Sequence, residues 1–253
     1  MGRLHGRRTR EREGLVLVEG VRAVQEALTQ GAEPRFVLLT REFRAAGWPG
    51  LELRLEGVSD VQEIREDEMY EVAGTETPQG VLLVADEPEI DRAAVWAPGA
   101  SRVLILDGVQ DPGNVGTLIR VAAAFGCSAV VALDGTADPW SAKALRAAAG
   151  TSFRLPVLRQ RWDDVRVSLD LWGGGLLVAD AGGRPVAGGR PPGAWALALG
   201  GEGDGCRPEL TARADTVVSV PMPGGVESLN VGIAGGILLY ELTRNEPEPE
   251  VRT

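Results

Sequence analysis

The stretch Ser219–Leu242, SVPMPGGVESLNVGIAGGILLYEL, decides how the chain is read. It opens as the end of a short apolar strand, Val217 to Val220, which Pro221 and Pro223 cut off. Gly224 and Gly225 then let the backbone take positive φ. A helix is expected next: Leu229, Ile233, Ile237 and Tyr240 recur at helical spacing, and Glu227, Ser228 and Asn230 place polar groups in its first turn. Strand end, bent loop and polar helix start together read as a ligand pocket. Inside the helix, Gly232, Gly235 and Gly236 would each cost about 1 kcal/mol relative to alanine, so another backbone is expected close to them.

Two further stretches share this character. In LDGVQDPGNVGTLIRVAAAFG, Leu106 to Gly126, a strand ends at Asp111-Pro112-Gly113-Asn114 and a helix starts, where outward-pointing N–H groups hold anions. Arg120 follows six residues after Asn114. On the residues alone, Asn114 is either a functional group or a helix cap, and Arg120 either a ligand-binding group or the partner of a carboxylate. In LALGGEGDG, Leu197 to Gly205, a strand runs into a glycine-rich loop. The loop is not a dinucleotide fingerprint, because Cys206 stands where the last glycine is needed. It is not a P-loop either, because the single lysine, Lys143, follows Ala142. An ordinary surface turn is the plain alternative.

The P-M-x-G-x-x-x-S-L-N-V core, its G-I-L-L-Y-E continuation and these two blocks, in this order, resemble the SpoU-type RNA 2'-O-ribose methyltransferases of the SPOUT superfamily. The resemblance implies an S-adenosylmethionine site with Gly200, Val220 and Leu229 as its contacts and Met222 close by. It further implies that Asn114 and Arg120 face the RNA, that Glu202 stands near the reacting ribose, and that Ser228 and Asn230 are polar groups of the catalytic site. Gly200 is expected to approach the cofactor by its backbone, since a Cβ would hold the ligand off. LVLVEGVRAVQEAL near the start and TPQGVLLVAD later resemble the ribosomal-protein-L30e-like substrate-binding domain that precedes many such catalytic domains. That domain points to large-subunit ribosomal RNA as substrate. A tRNA 2'-O-methyltransferase and a non-catalytic RNA-binding or assembly factor on the same fold are the alternatives. The resemblance also implies a homodimer joined through the catalytic domain, in part by the C-terminal helix. The glycines alone leave a second subunit and the chain's own threaded backbone equally open.

The totals are compatible with this reading. The chain has 253 residues, 44% of them hydrophobic, enough for one large or two small α/β domains. No apolar run is long enough for a membrane span, and the arginine-rich start lacks a signal-peptide core. Cys127, Cys206 and the single His5 form no metal or disulfide pattern, so a reducing cytoplasm and no metal are expected. The formal net charge of -10 speaks against an RNA partner, which calls for basic surface. Charge is uneven, however: Arg3, Arg7, Arg8, Arg10 and Arg12 crowd the start, and EPEPE at 246–250 loads the end.

In order, strands are expected at 14–19, 36–39, the alternating Leu51, Leu53 and Leu55, and 81–85. Helices are expected at 21–30 and from an Asp60 cap to about Val72. These make a compact α/β unit, which the resemblance identifies as the L30e-like domain over 1–87, with a basic, solvated N-terminal arm. A linker follows over 88–101. Strands at 103–106, 129–133, 155–158, 176–179 and 195–199 then alternate with helices at 115–125, 141–149 and 162–172. That alternation implies a parallel sheet covered on both faces, and topology rules alone would draw it as an ordinary doubly wound fold. The resemblance instead implies a SPOUT domain over 102–245 with a C-terminal trefoil knot, and then an acidic disordered tail over 246–253.

Overall fold

A computed structural model describes residues 6–97, 102–186, 191 and 193–244. The chain folds as two compact α/β units. One is the chain up to Ile90 with Asp111–Arg120 and Asp138–Pro156; the other is Asp91–Gln110, Val121–Ala137 and the chain from Val157 onward.

The first unit begins with α1 (Arg7–Glu13), β1 (Leu15–Glu19), α2 (Val21–Thr29), β2 (Pro34–Thr40), α3 (Arg41–Ala46) and α4 (Pro49–Leu55). β3 (Val61–Ile64), α5 (Glu66–Val72) and β4 (Val81–Asp86) follow. Its sheet has the order β1-β4-β2-β3, with β4 antiparallel to both neighbours and β3 parallel to β2. Leu17, Leu38, Met69, Leu82 and Val84 form its core.

Three expectations fail here. Leu51 to Leu55 is helical, because Pro49 starts a helix and the Glu52 carboxylate accepts from the Trp48 N–H at 3.3 Å. Leu51 and Leu55 then share one helical face, and the third strand of the sheet comes from Val61–Ile64 instead. Asp60 caps nothing. Its carbonyl accepts from Val37 N at 2.9 Å, as part of the sheet, and the helix starts at Glu66 after an Arg65 cap whose N–H reaches Glu68. The arginine-rich start is a helix from Arg7 onward, and Arg10 is buried in an ion pair with Asp138. The rest of the basic arm, residues 1–5, lies outside the described residues.

α6 (Arg92–Val95) lies in what reads as a linker. Val95 and Trp96 are buried, Trp96 edge-on to Trp172 at 5.4 Å, so this stretch packs like the rest of its unit. β5 (Arg102–Asp107), α7 (Pro112–Ala124), β6 (Ala129–Leu133), α8 (Ala142–Ala148), β7 (Val157–Gln160), α9 (Trp162–Trp172), β8 (Gly175–Pro185), β9 (Trp195–Gly200), α10 (Pro208–Arg213), β10 (Thr216–Ser219) and α11 (Val231–Thr243) complete the chain. The second sheet is parallel throughout, in the order β10-β8-β9-β5-β6-β7. Its strands β5, β6 and β9 are apolar runs buried on both faces, as a parallel sheet requires.

α11 begins later than expected and turns the other way. Val231, Gly232, Gly235, Leu238, Leu239 and Leu242 are buried, whereas Ile233, Ile237 and Tyr240 are 56%, 37% and 50% exposed. The helix is apolar almost all round, so periodicity cannot choose its inner face. Nor does Gly236 answer a close backbone: a Cβ there would meet Val121 Cγ1 at 3.9 Å, an ordinary contact. The acidic tail, 246–253, lies outside the described residues.

Candidate cofactor cavity

Three neighbouring strands of the parallel sheet, β8, β9 and β10, border one cavity of about 240 Å³, where β9 and β10 end and β8 passes. Open parallel sheets bind ligands at this carboxyl edge. β8 contributes Ala179, Asp180 and Ala181; β9 contributes Leu199 and Gly200 and runs on into Gly201, Glu202 and Gly205. Val218 and Ser219 come from β10, and Val220, Met222, Ser228 and Leu229 from the loop after it. Val231, Ala234 and Leu238 of α11 close the floor. The structure therefore brings together Gly200, Glu202, Val220, Met222, Ser228 and Leu229 from two sequence blocks. Asp180 and Ser219 belong with them and escape a search for glycine-rich loops. The signal that finds Asp180 is its place directly after an apolar run, Leu176 to Ala179, as Gly200 follows Trp195 to Leu199.

The glycine loop is packed tightly on its own backbone. A Cβ on Gly200 would lie 1.9 Å from the Gly205 carbonyl carbon, and one on Gly201 would lie 2.4 Å from Gly108 O. The loop therefore needs glycine at both positions simply to close on its own backbone. It is also braced from below. Gly201 N donates to Asp107 O at 2.9 Å, and buried Asp107 accepts from Arg207 N at 2.7 Å and Arg207 Nε at 2.9 Å. Arg207 Nη2 reaches Asp134 O at 2.9 Å. In the second loop only Gly225 has positive φ, 72°, in a turn closed by its N–H to Met222 O at 3.2 Å.

Of the polar pair at the start of α11, Asn230 is the cap: its Oδ1 accepts from Gly232 N at 2.9 Å and Ile233 N at 3.3 Å. Ser228 faces the cavity instead.

The Asp111–Arg120 segment is held differently from the anion cradle expected of it. Asp111 Oδ1 accepts from Gly113 N at 2.7 Å and Asn114 N at 3.0 Å, so those N–H groups are satisfied by the chain itself. Lys143 Nζ donates to Asp111 Oδ2 at 2.6 Å, and this bond, with the Asn114 N–H next, holds the carboxyl below its usual range. The cap is thus Asp111 and not Asn114. Arg120 is exposed and has no hydrogen bond or ion pair among the described residues. Cys127 and Cys206 are free thiols, both pushed up to about 12 by burial.

A parallel α/β sheet with an apolar, carboxylate-bearing cavity at its strand ends is the arrangement of a small-molecule-binding α/β protein. The chain belongs to the SpoU rRNA Methylase family, whose model matches residues 101–240. Residues 1–83 match the MRM3-like substrate binding domain. Over 95% of this chain and 93% of the relative, it is 36% identical to the 23S rRNA (guanosine(2553)-2'-O)-methyltransferase RlmP of Bacillus subtilis. It is 34% identical to the 23S rRNA (guanosine-2'-O-)-methyltransferase RlmB of Xanthomonas campestris pv. campestris, over 73% of this chain and 78% of that one. Among solved structures, the SpoU methyltransferase AviRb from Streptomyces viridochromogenes in complex with the cofactor AdoMet superposes with a TM-score of 0.85. It is 27% identical, with 96% of this chain and 95% of that chain covered.

Proposed function

We propose that this protein transfers a methyl group from S-adenosylmethionine to a ribose 2'-hydroxyl of ribosomal RNA, from the large subunit, in the cytoplasm. The observation that carries the reading is the convergence of Gly200, Glu202, Val220, Met222, Ser228 and Leu229 on one cavity at the strand ends. The cavity suits the cofactor chemically. Leu199, Val218, Leu229 and Leu238 offer apolar surface to a base, and Asp180 and Glu202 put negative charge beside a ligand that carries an ammonium and a sulfonium. Bound there, S-adenosylmethionine supplies an already activated methyl group. The chain's own task is then to hold the acceptor hydroxyl in line, which accounts for about 7 to 11 kcal/mol of a barrier when the geometry is near attack. As the new O–CH3 bond forms, the S–CH3 bond breaks to leave the thioether, and the hydroxyl's proton passes to solvent or an RNA phosphate; Arg120, a guanidinium with donors and no acceptor, stabilises the oxygen that develops negative charge. Asn114 holds the RNA beside it. The threaded C-terminal segment implied by the family resemblance is part of this proposal.

The test is transfer of labelled methyl groups to ribosomal RNA from a strain lacking the protein, with the labelled nucleotide mapped. Arg120→Ala is expected to lose at least about 100-fold in rate, the range of one removed electrostatic donor, with cofactor affinity unchanged in calorimetry. A parallel fall in affinity would place Arg120 in the cofactor site instead.

The protein acts as a homodimer through α11. Ile233, Ile237 and Tyr240 support this as an exposed apolar stripe on one helix, which a two-fold partner would cover with the same stripe. Light scattering of Ile233→Glu is expected to give half the mass of the wild type; a monomeric wild type would refute the interface.

A further inference from the structure

The first unit is clamped by charged groups that the proposed chemistry does not use. Glu19, at the end of β1, is 3% exposed. Its carboxylate accepts from Gly74 N at 3.0 Å, from Thr75 Oγ1, and from Arg146 Nη1 at 3.4 Å. Arg146 stands on α8. Just before α8, buried Asp138 pairs with Arg10 of α1 while its Oδ1 accepts from Trp140 N at 3.1 Å. Just after it, Gly150 lies so close to α2 that a Cβ would stand 2.3 Å from Glu26 Cβ. A buried carboxylate is tolerated only when it is fully paired, and a slide of α8 along β1 would strip an ionic partner from Glu19.

α8 in turn holds the first half of α7. Gly116 meets α8 backbone to backbone, a Cβ on it lying 2.1 Å from Ala144 O, and Lys143 reaches Asp111 beside it. Such a contact has no side chain to absorb a shift.

We infer that Glu19 and Arg146 are positioning residues for the methyl-acceptor side of the reaction: they fix α8 on β1, and α8 fixes the part of α7 that carries Asn114 and Arg120. This rests on the roles proposed above for Asn114 and Arg120. The module that matches a substrate-binding family thereby sets where Arg120 stands, as well as contacting RNA.

Glu19→Gln keeps the shape and removes the charge; Arg146→Met removes the partner. Each is expected to lower kcat at saturating RNA and S-adenosylmethionine at least about tenfold, with cofactor affinity within twofold of wild type, since a lost hydrogen bond to a charged group has that scale. The double variant is expected to be no slower than either single one, the mark of a shared interaction. Arg146→Lys should restore part of the rate. Leu38→Ala, in the core of the same unit but outside the clamp, serves as control for lost stability and should keep its kcat. Amide hydrogen exchange of residues 113–120 should quicken in Glu19→Gln while that of α11 does not. A kcat within twofold of wild type, an equal loss in Leu38→Ala, or unchanged exchange at 113–120 would overturn the inference. The exchange measurement needs no turnover, so a wild type that transfers no methyl would refute the proposed function while exchange still decides on the clamp.

Discussion

Asp107 shows how a single side chain shapes the cavity without lining it. It ends β5, is 4% exposed, and ties Arg207 and with it the glycine loop to the sheet. Asp107→Asn preserves volume but loses the charge-assisted bonds, about 1.5 to 3 kcal/mol. S-adenosylmethionine affinity measured by calorimetry is expected to fall about tenfold or more, with the Michaelis constant for RNA unmoved. Replacing Gly200 is the less informative experiment, because a Cβ there strikes the loop's own backbone before any ligand is present. Asp111 offers a pH signature. Lys143 holds its carboxyl below the ordinary value, so its capping of α7 is complete above about pH 4 and is lost as pH falls through the lowered value. In Lys143→Met the carboxyl resonance of Asp111 is expected to titrate at higher pH than in wild type. None of the Asp107–Arg207 pairing was legible in the sequence, where the two residues stand a hundred positions apart with no pattern joining them. The wall residues were legible because a glycine- or proline-bent loop after an apolar strand is a local signal.

Elements were legible where one face of the pattern is polar and ambiguous where it is not. β6 and α9 lie where strand run and helical period place them. α4 was mistaken because Leu51, Leu53 and Leu55 fit a strand by period and only Pro49 marks a helix start. For α11 the element was readable and its orientation was not, since leucine, isoleucine and glycine surround it. Two glycines make the contrast testable. Gly116→Ala forces a Cβ against Ala144 O and is expected to cost about 3 kcal/mol, as overpacking does. Gly236→Ala meets only Val121 Cγ1 and is expected to gain up to about 1 kcal/mol from helix propensity. Denaturant midpoints of the two variants should therefore move in opposite directions.

At the scale of the whole molecule, the net charge of -10 ceases to be an objection once charge is placed. Arg8, Arg22, Arg41 and Arg120 are exposed in the first unit and have no ion-pair partner among the described residues, leaving cationic surface for phosphates. The sequence reading put one boundary between two domains near residue 88. The compact unit that holds the N-terminal module also takes in Asp111–Arg120 and Asp138–Pro156, the latter through Asp138 to Arg10 and Arg146 to Glu19. A protease nick between Glu87 and Asp91 is therefore expected to leave both fragments together in gel filtration, separating only in denaturant; fragments that part under native conditions would contradict the clamp. The same discontinuity bears on how the protein is made. When Ile90 leaves the ribosome, Glu19 has yet to meet Arg146 and Arg10 has yet to meet Asp138, and 66 more residues must be translated before Pro156 completes the unit. At about 5 to 20 residues per second this is a wait of roughly 3 to 13 s, during which two ionisable groups destined for burial must stay in water. The nascent N-terminal segment thus spends seconds as an incomplete fold, and it is in that interval that a chaperone has most to hold.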